Sequence, residues 1–114
     1  MKNVLNLNPP GIVLGPLHRN KMQAVLVDTV EQGIPVVIAA SNEDTAYKAT
    51  YVGSDNEALG TDLAKWVGKL TPPQGKVAVV NIQAGMGSVD LRQHALLGTL
   101  SQSFSDLPIT QTQF

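Results

Sequence analysis

Short unbroken apolar runs alternate with segments whose apolar residues recur every three or four positions, from one end of the chain to the other. Gly11-Ile12-Val13-Leu14-Gly15, closed by Pro16, predicts a short buried strand. Asn20 stands at a helix N-cap position, with Gln23 three residues later as the reciprocal half of a capping box. Met22, Val25, Leu26 and Val30 then follow at helical spacing, and Gly33 supplies a left-handed stop. Ile34 to Ala40 is a second apolar run rich in β-branched residues. A strand, a helix and a strand with short joints make a βαβ unit, which requires parallel pairing.

Residues 41–49 are polar and aperiodic, which predicts a loop, and a brief strand follows around Thr50 to Gly53. Ser54 and Glu57 form a second capping box before a helix whose apolar stripe is Leu59, Leu63, Trp66, Val67 and Leu70. Core packing is the expected role of Trp66 on that stripe. Thr71-Pro72-Pro73-Gln74-Gly75 breaks the helix. Lys76 to Ile82 predicts a third apolar strand, followed by a Gly85-Met86-Gly87 turn. Ser88 would cap a last helix reaching about Ser105, with Leu97, Leu100 and Phe104 on one side, and Ile109 to Gln113 alternates like a final strand. Apolar strands of this kind need helices on both faces. The expected class is therefore α/β, a three-layer sandwich with a largely parallel sheet.

Composition narrows the functions open to such a fold. The chain has 114 residues, 43% hydrophobic and 15% charged, with a formal net charge of −1. That charge leaves no electrostatic footprint for nucleic acid or an anionic membrane. There is no cysteine, which excludes disulfides, thiolate nucleophiles and cysteine zinc sites. The two histidines, His18 and His94, lie far apart, and no Gly-x-Ser-x-Gly elbow accompanies them. No cofactor and no enzymatic chemistry are expected: acid–base pair, nucleophile and metal cluster are all missing. The N-terminal stretch Met1 to Pro10 has one basic residue and no long apolar core, so it does not read as a secretory signal.

Five segments carry a resemblance in the right order and spacing: Gly11 to Pro16, Glu31 to Val37, Tyr51 to Asn56, Gly75 to Val80, and Asp90-Leu91-Arg92. Together they resemble the type I periplasmic sugar-binding proteins, solute receptors of ABC importers and relatives of the LacI-type repressor ligand domain. The resemblance covers roughly residues 9–114 but well under half of a family chain. It implies two α/β lobes joined by crossing strands, with ligand held between them. On that pattern residues 1–41 correspond to the end of the first lobe, 42–53 to a crossover and 54–114 to the start of the second lobe. The implied partners are a sugar or similar small polar ligand and, for the parent protein, the importer's membrane subunits in a periplasmic setting. A fragment of a LacI-type regulator and an interaction module without ligand are the alternatives. Incomplete sheets would also expose strand edges, so a homodimer or swapped assembly is expected.

The same resemblance points to site residues. The family's strand equivalent to Pro35 to Ala40 ends in an Asp that hydrogen-bonds sugar hydroxyls, a task suited to an acceptor-only carboxylate. This chain has Ala40 there, followed by Ser41 and Asn42, which are either polar contacts at the carboxyl edge of the strand or ordinary turn formers. Asp55 and Asn56 match a hinge-proximal pair in the family, and helix capping alone explains the same residue types. Gln83 lies in the strand–helix loop that the family places against ligand. Arg92 is the available arginine of the following helix, whose family counterpart aligns with either Arg92 or Asp90, and a solvated face residue is the alternative. Gly85-x-Gly87 before a helix resembles half of a phosphate loop, but Asp90 occupies the third glycine position and brings a negative charge.

Overall fold

The computed structural model describes residues 2–16, 22–41, 45–81 and 85–113. The chain divides into two units, residues 1–54 and 55–114, each with a parallel sheet and a core of its own.

In the first unit, a short helix α1 (Lys2–Leu5), absent from the sequence expectations, precedes β1 (Ile12–Leu14), α2 (Gln23–Glu31), β2 (Val36–Ala39) and β3 (Thr50–Val52). All three strands pair in parallel in the order β1-β2-β3, with Ile12 opposite Val36 and Val37 opposite Thr50. The predicted βαβ unit is therefore present. Leu26 of α2 is fully buried against Val36 and Ile38, with Ile12, Leu14, Met22 and Tyr51 packed around them. Burying a leucine of that kind contributes about 2–3 kcal/mol. Gly33 ends α2 as expected, at φ 75°. Its N–H donates to the Val30 carbonyl at 2.8 Å and that of Ile34 to the Thr29 carbonyl at 3.2 Å, the paired bonds of a Schellman stop.

The second unit comprises α3 (Asn56–Leu70), β4 (Val77–Asn81), α4 (Gly87–Ser103) and β5 (Ile109–Gln113). β4 and β5 pair in parallel from Val77 opposite Ile109 to Asn81 opposite Gln113. Ala64, Val77 and Leu100 form the buried centre, with Val67, Val79, Leu96, Phe104, Leu107 and Ile109 packed on it. α3 and α4 approach closely because their contact is lined by small residues. A Cβ on Gly60 would overlap the Arg92 carbonyl, and one on Gly68 would enter the Phe104 ring.

The α/β class with parallel strands holds, and several details differ from expectation. Apolar strands were expected to be covered on both faces, yet Val13, Val52 and Val80 are exposed, each facing away from its unit's core. In β1, β3 and β4 alternate positions are exposed, whereas β2, between two strands, has none exposed. The strands form two sheets, β1-β2-β3 and β4-β5, in keeping with two lobes. Thr50–Val52, the brief strand expected after the 41–49 loop, pairs with β2 in the first sheet.

The helix starts differ too. Met22, not Asn20, occupies the N-cap of α2, without a side-chain cap bond, and Asn20 lies outside the described residues. Met86 rather than Ser88 precedes α4. Asp55 rather than Ser54 caps α3, its Oδ1 accepting from the Ala58 N–H at 2.9 Å. Asp55→Ala is expected to lower stability by about 1 kcal/mol in urea unfolding; no change would mean the cap is replaced by solvent without cost.

The largest difference concerns the stripe of α3. Leu59, Leu63, Trp66 and Leu70 are 42%, 47%, 63% and 76% exposed, while Asn56, Gly60 and Ala64 are buried. The inward face is set by how near α4 can come, not by the size of the apolar residues. Trp66 is consequently a surface residue, with the Lys69 ammonium 5.6 Å from its ring centroid.

Candidate functional site

β2 ends in a strained turn. Ala40 has φ 67°, and the Ser41 N–H donates across it to the Ala39 carbonyl at 2.8 Å, a tight γ-turn. Left-handed backbone at an alanine costs on the order of 1–2 kcal/mol, so the surroundings must hold it in place. They do: the Ala40 N–H donates to the Val52 carbonyl at 3.0 Å, and the Tyr51 hydroxyl donates to the Ala40 carbonyl at 3.1 Å. Gly53 makes room for that tyrosine, since a Cβ there would overlap its hydroxyl. Ser41 is buried directly behind the turn. Asn42, named with it in the sequence, lies outside the described residues.

In the second unit the structure brings together Asn56 and Arg92, 36 positions apart. Arg92 Nη2 donates to Asn56 Oδ1 at 2.8 Å, and Asn56 is only 6% exposed. Arg92 Nε is buried with no hydrogen-bond partner among the described residues, leaving one donor of the guanidinium fork uncommitted among them. Arg92→Ala is expected to cost about 1–3 kcal/mol, because it strips a charged donor from a buried amide. Equilibrium urea unfolding checks this, and an unchanged midpoint would remove the pair from the account. Asp55 serves as the cap already described.

Asp90 sits in the first turn of α4 and accepts from the Gly85 N–H, at 3.1 Å to Oδ2 and 3.4 Å to Oδ1. The loop amide that an anion would use is thus occupied by the chain's own carboxylate, against a phosphate role for Gly85 and Gly87. Gln83 lies outside the described residues, as does His18. His94 is on the exposed side of α4. Among the described residues no group of three or more histidine or carboxylate side chains is placed to hold a metal.

The structure adds three amides that the sequence did not single out. Asn81 Nδ2 donates to Gln93 Oε1, and Gln93 Nε2 donates to Gln111 Oε1 at 3.4 Å. They join the carboxyl end of β4, the first turns of α4 and β5. Carboxyl ends of parallel strands are where open α/β sheets take ligands. A polar residue closing the apolar run Val77 to Val80 was the available signal for Asn81; Gln93 and Gln111 carry none in one sequence. Among the described residues, two open clefts lie away from these strand ends. One of about 490 Å³ is bordered by Val30, Pro35, Tyr47 and Ala49, and one of about 340 Å³ by Gly68, Pro73, Phe104 and Leu107.

Comparison with protein families matches residues 1–111 to the periplasmic binding protein domain. The chain belongs to this family. Solved periplasmic binding proteins share its fold at low identity. The arabinose transporter component from Shewanella sp. ANA-3, bound to L-arabinofuranose, is 17% identical with a TM-score of 0.89, over 98% of this chain and 38% of that one. A solute binding protein from Burkholderia graminis in complex with D-arabinose is 20% identical with a TM-score of 0.89, over 98% and 39%. A glucose-galactose binding protein from Geobacillus stearothermophilus is 20% identical with a TM-score of 0.86, over 98% and 40%. This periplasmic binding protein chain therefore spans about 40% of the length of such structures. Comparison with curated protein sequences gives no match.

Proposed function

We propose that the chain is the ligand-recognising part of a periplasmic solute receptor that serves an ABC importer and binds a sugar or similar small polyol without catalysis. The observation that carries this reading is that, within each unit taken by itself, polar groups stand at the carboxyl ends of the parallel strands. Ser41 and the fixed Ala40 turn close β2. The Asn81–Gln93–Gln111 amides stand on the second sheet and α4, and Arg92 of α4 has one buried donor without a partner among the described residues. Amides and a guanidinium match vicinal hydroxyls, each of which donates and accepts. The sugars bound in the structurally similar receptors support the same chemical class. Asp55 and Asp90 are committed to backbone N–H groups and act as supports for the site rather than as its contacts.

The test is NMR titration of the chain with L-arabinose, D-arabinose, D-galactose and D-glucose. Affinity on the order of millimolar is expected, because a receptor that encloses its ligand between lobes draws binding from both. Shifts should concentrate at the strand ends of each unit, at Ser41 in the first and at Asn81 and residues 90–93 in the second. Ala40→Asp restores a carboxylate in a backbone conformation that Asp tolerates and is expected to tighten binding several-fold. Saturable shifts elsewhere, or none with any of the four sugars, would sink the proposal.

A further inference from the structure

The exposed stripe of α3 has the spacing of a coiled-coil seam. Leu59, Leu63, Trp66 and Leu70 are separated by four, three and four residues, which keeps them on one line of the helix. All four are exposed, and α4 lies on the adjacent face, against Gly60 and Ala64. On the side of the seam away from α4 stand Asp62, just before Leu63, and Lys69, just before Leu70. Among the described residues Asp62 makes an exposed i,i+3 pair with Lys65 at 3.0 Å, the weak kind that redistributes readily.

We propose that this face of α3 binds the same face of a second copy of the chain, in an antiparallel two-fold pair. The arrangement follows from the positions. Antiparallel pairing sets Leu59 against Leu70 and Leu63 against Trp66, four apolar layers that place a large residue opposite a smaller one in the two central layers. It also brings flanking positions of like type together across the seam. Asp62 of each copy then meets Lys69 of the other, so the two-fold axis makes two opposite-charge contacts. Parallel pairing would set each residue beside its own copy, Asp62 level with Asp62 and Trp66 with Trp66, and gains neither. Charge complementarity thus selects both the occupant and its direction. The seam is one 15-residue helix, so association in the micromolar range is expected rather than an obligate dimer. This inference is independent of the sugar-binding proposal, and it differs from an assembly through completed sheets.

The experiment is sedimentation velocity on the whole chain across a concentration series, with circular dichroism to confirm that each variant folds. The wild-type mass should move from one chain towards two. Asp62→Lys and Lys69→Asp each place like charges together twice and should weaken association about tenfold. The double variant D62K/K69D recreates the pairs in reverse and should return to within about threefold of wild type. Leu63→Asp, at an exposed position, should abolish association without loss of helix content. A monomer at every concentration, a larger assembly, or a dimer indifferent to the charge swaps would overturn the proposal.

Discussion

Gly60→Ala is expected to destabilise the second unit by about 1–3 kcal/mol, although alanine is the better helix former. The added Cβ would overlap the Arg92 carbonyl and press on the Ala95 methyl. A backbone carbonyl inside a helix cannot rotate aside as a flexible side chain can, so α3 and α4 must separate. Separation loosens the layer formed by Ala64 and Leu100 and lengthens the Arg92–Asn56 bond, which belongs to the same contact. Gly98→Ala is the matched control. Gly98 lies within α4, and a Cβ there meets nothing within 4 Å. Only the propensity gain remains, so stability should rise by about 0.5–1 kcal/mol. Urea unfolding of the two variants separates the effects by sign. If both stabilise, the helices have slack at Gly60 and the close approach is not a constraint on the sequence.

The same contact explains what was legible in the sequence and what was not. Strand positions and parallel pairing were legible, because β-branched runs such as Val36-Val37-Ile38 and a Gly33 stop act through local backbone physics. The inward face of α3 was not. Apolar periodicity weighs Leu59, Leu63 and Trp66 above Gly60 and Ala64, whereas a close helix–helix approach favours the smallest residues. Periodicity reports which residues would gain from burial, and only the partner helix decides which of two adjacent stripes receives it. The caps failed in a milder way, by one residue at α3 and two at α4, since Ser54, Asp55 and Ser88 are all competent cap residues and the turn geometry chooses among them.

Of the residues that the resemblance singles out, the structure places Ser41 just after β2, Asp55 at the N-cap of α3, Asn56 in its first turn, and Asp90 and Arg92 in α4. Asp55 caps α3, as the residue type alone allows. Asp90 ties its own loop, a bond between positions 85 and 90 that no residue-type argument distinguishes from ligand contact. The Asn81–Gln93–Gln111 chain depends on three elements meeting, and pairing of β4 with β5 is what brings Gln111 alongside.

Leu100→Ala should have the largest effect of any single change in the second unit, about 2–5 kcal/mol. Leu100 is fully buried, and the residues packed on its cluster come from α3, β4, α4 and β5 as well as Leu107 before the last strand. Removing it leaves a cavity that the neighbouring backbones cannot fill, because Gly60 and Gly68 already bring the helices to contact. A unit of this size has only a few kcal/mol of net stability, so the loss is enough to populate its unfolded form strongly. The core of the first unit, Leu26, Val36 and Ile38, shares no residue with the core around Leu100. Hydrogen exchange should therefore show protection falling in 77–81 and 87–103 while the amides of 12–14 and 36–39 keep theirs. Leu100→Met, which nearly conserves volume, should cost less than about 1.5 kcal/mol and leave the exchange pattern unchanged. Equal loss of protection in both units would show that they unfold as one, and each core would then depend on the other despite having no residue in common.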